Sequence, residues 1–277
     1  MKLKFEDYER MVESVRKLTD FKPLVGIVLG TGLGNFIDNV DVKATIKYSE
    51  IPNLPKGTNL AHKGQFVFGY FNDIPCVFMQ GRLHYYEGYT TEEVTRPIRL
   101  MGFLGIKHLI LTNACGGINF NFHVGDFMLL EDHIDCFIPS PLRGENDDRL
   151  GPRFLDVTEP YDLKLVNEIY SKAKELNLPI QKGVYLQYPG PQFETRTLIK
   201  AFRTLGADTV GMSTVVEAIA AHHQNLKTIG ISFISNLACG MSKEKISDEE
   251  VQVEAKKGEK NFTTLLGEAI KIVANDK

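Results

Sequence analysis

Leu24-Val25-Gly26-Ile27-Val28-Leu29 is an unbroken apolar run, short and partly β-branched, placed directly after Pro23. Such a run predicts a strand buried on both faces. His108–Thr112, Phe127–Leu130, Gly183–Tyr188 and Thr228–Ile234 also read as strands. Residues 92–104, 161–176, 195–205, 214–225 and 248–273 instead carry helical periodicity; the fourth is Ala-rich and the last is the longest. Strands alternating with helices around a buried sheet define an α/β fold.

The remaining segments refine that frame. Phe5, Tyr8, Met11/Val12, Val15 and Leu18 recur at helical spacing, predicting an amphipathic helix over residues 5–18. Val42, Ala44, Ile46 and Tyr48 alternate with other residues as in a half-buried strand. Gln65–Phe71 and Ile74–Met79 are β-rich and separated by Asn72-Asp73, a turn signal, so the pair reads as a hairpin. A hairpin among crossover strands makes the central sheet mixed. Residues 139–160 are rich in Gly, Pro, Asn, Asp and Arg and lack periodicity; a loop of that length is usually functional or disordered. With no internal repeat and no linker, the 277 residues are expected to form one domain, 1–277.

Charge and composition exclude several classes. Lys and Arg total 32 against 35 Asp and Glu, a net charge of −3, which lacks the basic excess of a nucleic-acid binder. No apolar run approaches the roughly 18 residues of a membrane span. Met1–Asp7 lacks the apolar stretch of a secretory signal. The four cysteines, Cys76, Cys115, Cys136 and Cys239, never stand in C-x-x-C spacing, and three lie in apolar surroundings where a reduced, inert thiol is expected. These features fit a cytoplasmic protein.

Six segments could carry chemistry. Gly30-Thr31-Gly32-Leu33-Gly34 follows the first buried strand and reads either as an anion-binding loop or as a tight turn. Asn35 breaks the dinucleotide fingerprint, which disfavours a nicotinamide-dependent oxidoreductase. Arg82 and His84, at i and i+2 after another strand, point the same way on extended chain. Arg offers a fork for phosphate oxygens and His a donor or acid. Thr112–Gly117 closes a third strand with small residues; Cys115 reads as a packed thiol there rather than a nucleophile.

Glu194, in Tyr188–Thr195, stands where a helix begins and could complement its dipole or accept hydrogen bonds from a heterocycle. Val210–Thr214 precedes the Ala-rich helix, a start suited to an anion. Asn236 follows an apolar strand; it is either a turn residue or a donor and acceptor for a base edge. His222-His223 lacks the spacing of H-E-x-x-H, and His133-Ile134-Asp135 offers no third ligand, so no metal is expected.

Together these segments resemble the trimeric, low-molecular-mass purine nucleoside phosphorylases. LGTGLG (Leu29–Gly34), GRLHYYEGY (Gly81–Tyr89), TNACGG (Thr112–Gly117), GPQFET (Gly190–Thr195) and VGMSTV (Val210–Val215) match in order, and similarity spans residues 20–270. The resemblance implies a nucleoside phosphorylase-like fold and the conversion of a purine nucleoside and phosphate to free base and α-ribose 1-phosphate. It places phosphate on Thr31, Arg82, His84, the Ala114 backbone and Ser213, with His62 nearby. It places the purine on Glu194 and Asn236, with Phe193 and Val210 lining the pocket, and the ribose on Tyr86 and Met212. His84, Glu194 and Asn236 would be the catalytic groups. Phe154 matches the aromatic that the family inserts into the neighbouring subunit's site, which implies a homotrimer. No metal or organic cofactor is implied, phosphate being a co-substrate.

Asn rather than Asp at 236 accompanies 6-oxopurines in this family, which favours inosine and guanosine over adenosine. Two positions depart from the family pattern: Thr31 replaces a serine but keeps the hydroxyl, and Asp248 replaces a histidine that contacts the ribose 5′-hydroxyl. Asp248 would either accept from that hydroxyl or sit in the first turn of the last helix behind a Ser247–Glu250 capping box. A methylthioadenosine or xanthosine phosphorylase is the near alternative. A non-catalytic purine-binding protein is the rival from another class, and intact Arg82, His84, Glu194 and Asn236 weigh against it.

Overall fold

Val25–Leu29 (β1) buries all five residues, as its unbroken apolar run requires, and lies between two parallel neighbours, β4 (Ile74–Gln80) and β5 (His108–Gly117). The structure is a computed structural model describing residues 2–56, 63–242 and 248–276, with only the backbone described at 248–251. Antiparallel β3 (Gln65–Phe71) joins β4 through Asn72 and Asp73, both at positive φ, the geometry of a tight hairpin turn. β2 (Asp41–Lys47) pairs antiparallel with β3 at the sheet edge.

Beyond β5 the sheet curls. β5 pairs in parallel with β9 (Lys227–Leu237), β9 antiparallel with β6 (Phe127–Ile134), and β6 in parallel with β7 (Ile180–Gln187). β7 then pairs in parallel with β8 (Thr209–Gly211), which returns antiparallel to Gly116 and Gly117 of β5. Among the described residues these pairings close a ring of five strands within a nine-stranded mixed sheet. The expected mixed sheet flanked by helices is what the chain forms.

The helices cover the sheet with their apolar stripes. α1 (Phe5–Arg16) buries Tyr8, Met11 and Val15 and packs on α2 (Thr91–Phe103). α3 (Leu163–Glu175) buries Leu165, Val166, Ile169 and Ala173, and its N-cap Asp162 accepts from the Leu165 N–H at 3.0 Å. α4 (Arg196–Thr204), α5 (Val215–His222) and the long α6 (Asp248–Asn275) complete the set. Burial of Phe262, Leu265, Leu266, Ala269, Ile270 and Val273 fastens the second half of α6 to the core.

Two expectations are corrected, and one strand is added. β8 escapes sequence reading because three residues show no period. β5 and β9 run past their apolar stretches, so Thr112–Gly117 and Asn236 lie inside strands rather than after them. Cys76 and Cys115 are buried, but Cys136 is exposed and Cys239 half-buried, so two thiols rather than three are packed away. The 139–160 segment is irregular as expected, yet anchored. Lys2 Nζ donates to the carbonyls of Leu142 (3.2 Å) and Glu145 (2.8 Å), while His223 Nε2 lies 3.0 Å from Pro152 O and His222 Nε2 3.0 Å from Asp156 O.

Candidate active site

The C-terminal ends of parallel strands in an α/β sheet leave a crevice where ligands bind. Here that crevice is a cavity of about 360 Å³. Its walls include Thr31 after β1, Arg82, His84 and Tyr86 after β4, and Asn113 and Ala114 of β5. Phe193 and Glu194 before α4, Val210, Met212 and Ser213 before α5, and Asn236 of β9 complete it. Residues up to about 205 positions apart thus meet on one surface.

One group of these residues has the charge and the donors that an anion requires. Arg82 is 2 % exposed. Its Nε donates to Glu217 Oε1 at 3.0 Å, and its Nη1 donates to Thr112 O at 2.8 Å and Ser213 Oγ at 3.2 Å. Its Nη2 is buried and has no hydrogen-bond partner among the described residues. An orphaned guanidinium nitrogen is costly unless an acceptor arrives, which suits a phosphate oxygen. His84 stacks on Tyr86 with ring centroids 4.7 Å apart, and its Nδ1 lies 3.2 Å from Glu87 Oε1, which also accepts from the His84 N–H at 2.8 Å.

The glycines around Thr31 have separate steric reasons. A Cβ on Gly30 would come within 2.8 Å of Asn113 Cα and Thr112 O, and Gly32 has φ +76°. The tight-turn reading accounts for these glycines, while Thr31 itself reaches the cavity. Ser213 is delivered by a sharper device. Thr214 has φ 86° and ψ −52°, and the Val215 N–H donates to Ser213 O at 3.1 Å, a γ-turn of the rare positive-φ kind. A β-branched residue held there stores on the order of 1–3 kcal/mol of strain. The Glu217 carboxylate, accepting from Thr214 N–H at 3.1 Å, and Asn113 Nδ2, donating to Thr214 Oγ1 at 3.0 Å, hold it in place.

A second group suits a heterocycle with donors and acceptors on its rim. Glu194 is buried, and desolvation raises its carboxyl above the usual range. Thr195 is the N-cap of α4, its hydroxyl accepting from Leu198 N–H at 3.2 Å, so Glu194 stands one residue ahead of the cap, beside the helix N-terminus and on the cavity wall. Asn236 is half-buried, its Nδ2 donating to Leu237 O at 3.1 Å. A register shift between Cys115 and Gly116 sets Gly116 opposite Asn236.

Cys115 borders the cavity, but burial pushes its thiol up to about 12, consistent with an inert packed group. Phe154 does not reach the cavity of its own chain; it is 90 % exposed, with the Arg153 guanidinium 5.9 Å from its ring centroid. His62 and the Ser247 capping box lie outside the described residues, as does the Asp248 side chain, although the Asp248 backbone opens α6. Among the described residues no three His, Cys, Asp or Glu groups are placed to hold a metal ion, and no helix is long and apolar enough to cross a membrane. Sequence reading missed Asn113 and Glu217; the Thr214-x-x-Glu217 capping pattern was the available signal for the second.

A mixed sheet with a buried arginine and a carboxylate–carboxamide pair in one crevice matches a known class. The model of the phosphorylase superfamily covers residues 24–271, and the chain belongs to that family. Its relatives include purine nucleoside phosphorylase 1 of Bacillus subtilis, 42% identical over 93% of this chain and 95% of the relative. The purine nucleoside phosphorylase of Bos taurus is 42% identical over 84% of this chain and 82% of the relative. The purine nucleoside phosphorylase of Schistosoma mansoni in complex with inosine superposes with a TM-score of 0.93 at 32% identity, covering 100% of this chain and 99% of that one.

Proposed function

We propose that this chain cleaves purine nucleosides with inorganic phosphate, releasing the free base and α-ribose 1-phosphate, with 6-oxopurine nucleosides preferred. The observation that carries this reading is that buried Arg82 and buried Glu194 line one cavity, together with Thr31, His84, Ser213 and Asn236. Cleavage of the N-glycosidic bond builds cationic character on the ribose while electrons flow into the purine. A phosphate held by Thr31, Arg82, His84, Ala114 and Ser213 stabilises the first by proximity and charge. Asn236 donating towards N7 stabilises the second, and the Glu194 carboxylate accepts from N1–H. Phe193 and Val210 flank the base; Tyr86 and Met212 bear on the ribose. No step needs a metal or organic cofactor.

The anchored 139–160 segment supports a trimeric assembly with a site shared between subunits. It presents an exposed aromatic, Phe154, on a backbone held on either side at Pro152 and Asp156 by His223 and His222. A head-to-tail contact closed by rotation gives a ring. The deciding assay is hypoxanthine release from inosine with and without phosphate, before and after chelation. Release that depends on phosphate and survives chelation is expected; equal release in phosphate-free buffer overturns the reading.

A further inference from the structure

Glu217 is fully buried, lies behind the cavity wall rather than in it, and yet meets both devices that shape the anion grip. One carboxylate oxygen accepts from Arg82 Nε at 3.0 Å and the other from the Thr214 N–H at 3.1 Å. Arg82 is thereby held at Nε by Glu217 and at Nη1 by Thr112 O and Ser213 Oγ, and Nη2 alone has no partner among the described residues. The strained turn that presents Ser213 is held by the same carboxylate. We propose that Glu217 is the positioning residue of the phosphate site, fixing the plane of the Arg82 guanidinium and the Ser213 turn together so that both keep their places on the wall where the oxyanion binds. The proposal rests on the phosphorolytic reading above.

Two simpler roles make different predictions. A carboxylate at this place in a helix caps its N-terminus, and removing a cap lowers stability without altering ligand affinity. A carboxylate that merely offsets the Arg82 charge opposes the incoming phosphate, so removing it would tighten phosphate binding. Positioning alone requires phosphate binding to weaken when the geometry is lost.

The test measures phosphate KM at saturating inosine, and inosine KM at saturating phosphate, in the parent, Glu217→Gln, Glu217→Asp and Asp162→Ala. Gln keeps one acceptor but turns an NH2 towards one of two donors. Asp keeps the charge and retracts the carboxylate by about 1.5 Å, so it remains informative where the Gln variant fails to fold. Asp162→Ala removes a cap far from the site. Phosphate KM is expected to rise about tenfold in both Glu217 variants, with inosine KM within about twofold and Asp162→Ala unchanged in both. Unchanged phosphate KM in Glu217→Asp, or a lower one in Glu217→Gln, overturns the proposal while leaving the phosphorolytic reading intact. Phosphate-independent cleavage by the parent overturns both.

Discussion

The Ser235 hydroxyl donates to Asn236 Oδ1 at 2.9 Å, which fixes the orientation of the amide at the end of the cavity wall. With the oxygen engaged by Ser235 and one N–H by Leu237 O, the second N–H of Asn236 is the group available to a base. Asn236→Asp replaces that donor with an oxygen able to accept from a 6-amino group. The ratio of kcat/KM for adenosine to that for inosine should rise about tenfold, the worth of one hydrogen bond. Steady-state assays with the two nucleosides check it, and an unchanged ratio refutes the assignment of the purine edge.

Burial of Glu194 sets two pH signatures. Its carboxyl is raised above the usual range, so the acid limb of kcat/KM for inosine should lie above that range and vanish in Glu194→Gln. A carboxyl raised on folding contributes stability below its unfolded value and loses it as pH climbs through the folded value. Glu194→Gln should therefore gain in Tm relative to the parent as pH rises across that window. Glu194→Ala should cost about 10- to 100-fold in kcat/KM by leaving N1–H unpaired.

The thiols separate by burial. Cys115, pushed up to about 12 and bonded to Phe233 O at 3.5 Å, should resist iodoacetamide at pH 8, whereas exposed Cys136 should be alkylated. Peptide mass spectrometry reads both sites. Loss of activity tracking modification of Cys115 would contradict its inert role.

Phe154 tests the assembly. Light scattering should return three chains of 31.1 kDa each. Phe154→Ala should lower kcat/KM for inosine about tenfold, since each site would lose an apolar wall, and a fully active monomer would refute the shared site. Because the side chain is exposed within its own chain, the intrinsic stability of the protomer should shift by no more than about 0.5 kcal/mol.

What was legible in the sequence was local. The double-sided burial of β1 follows from six consecutive residues, and the hairpin from Asn72-Asp73; Arg82 and His84 were readable as a pair because extended chain puts i and i+2 on one side. Contacts across the fold were not. Glu217 reads as a helix cap from Thr214 onwards, and its partner Arg82 lies 135 positions away. Nor does sequence show that Gly30 is demanded by the backbone of Asn113 or that Thr195 is the residue that caps α4. The extensions of β5 and β9 were hidden because ladder hydrogen bonds, not side-chain polarity, carry their polar ends.

Closure of β5, β9, β6, β7 and β8 into a ring bears on how the protein survives at high concentration. A strand edge is a template for pairing with another chain, and pairing round a ring shortens the edges left open. Among the described residues β2 is the one strand of the sheet with a single neighbour. It carries exposed Asp41, Lys43 and Lys47, with a register shift between Val42 and Ala44 that interrupts its ladder. Charge and irregularity on that strand blunt its use as a seed for aggregation.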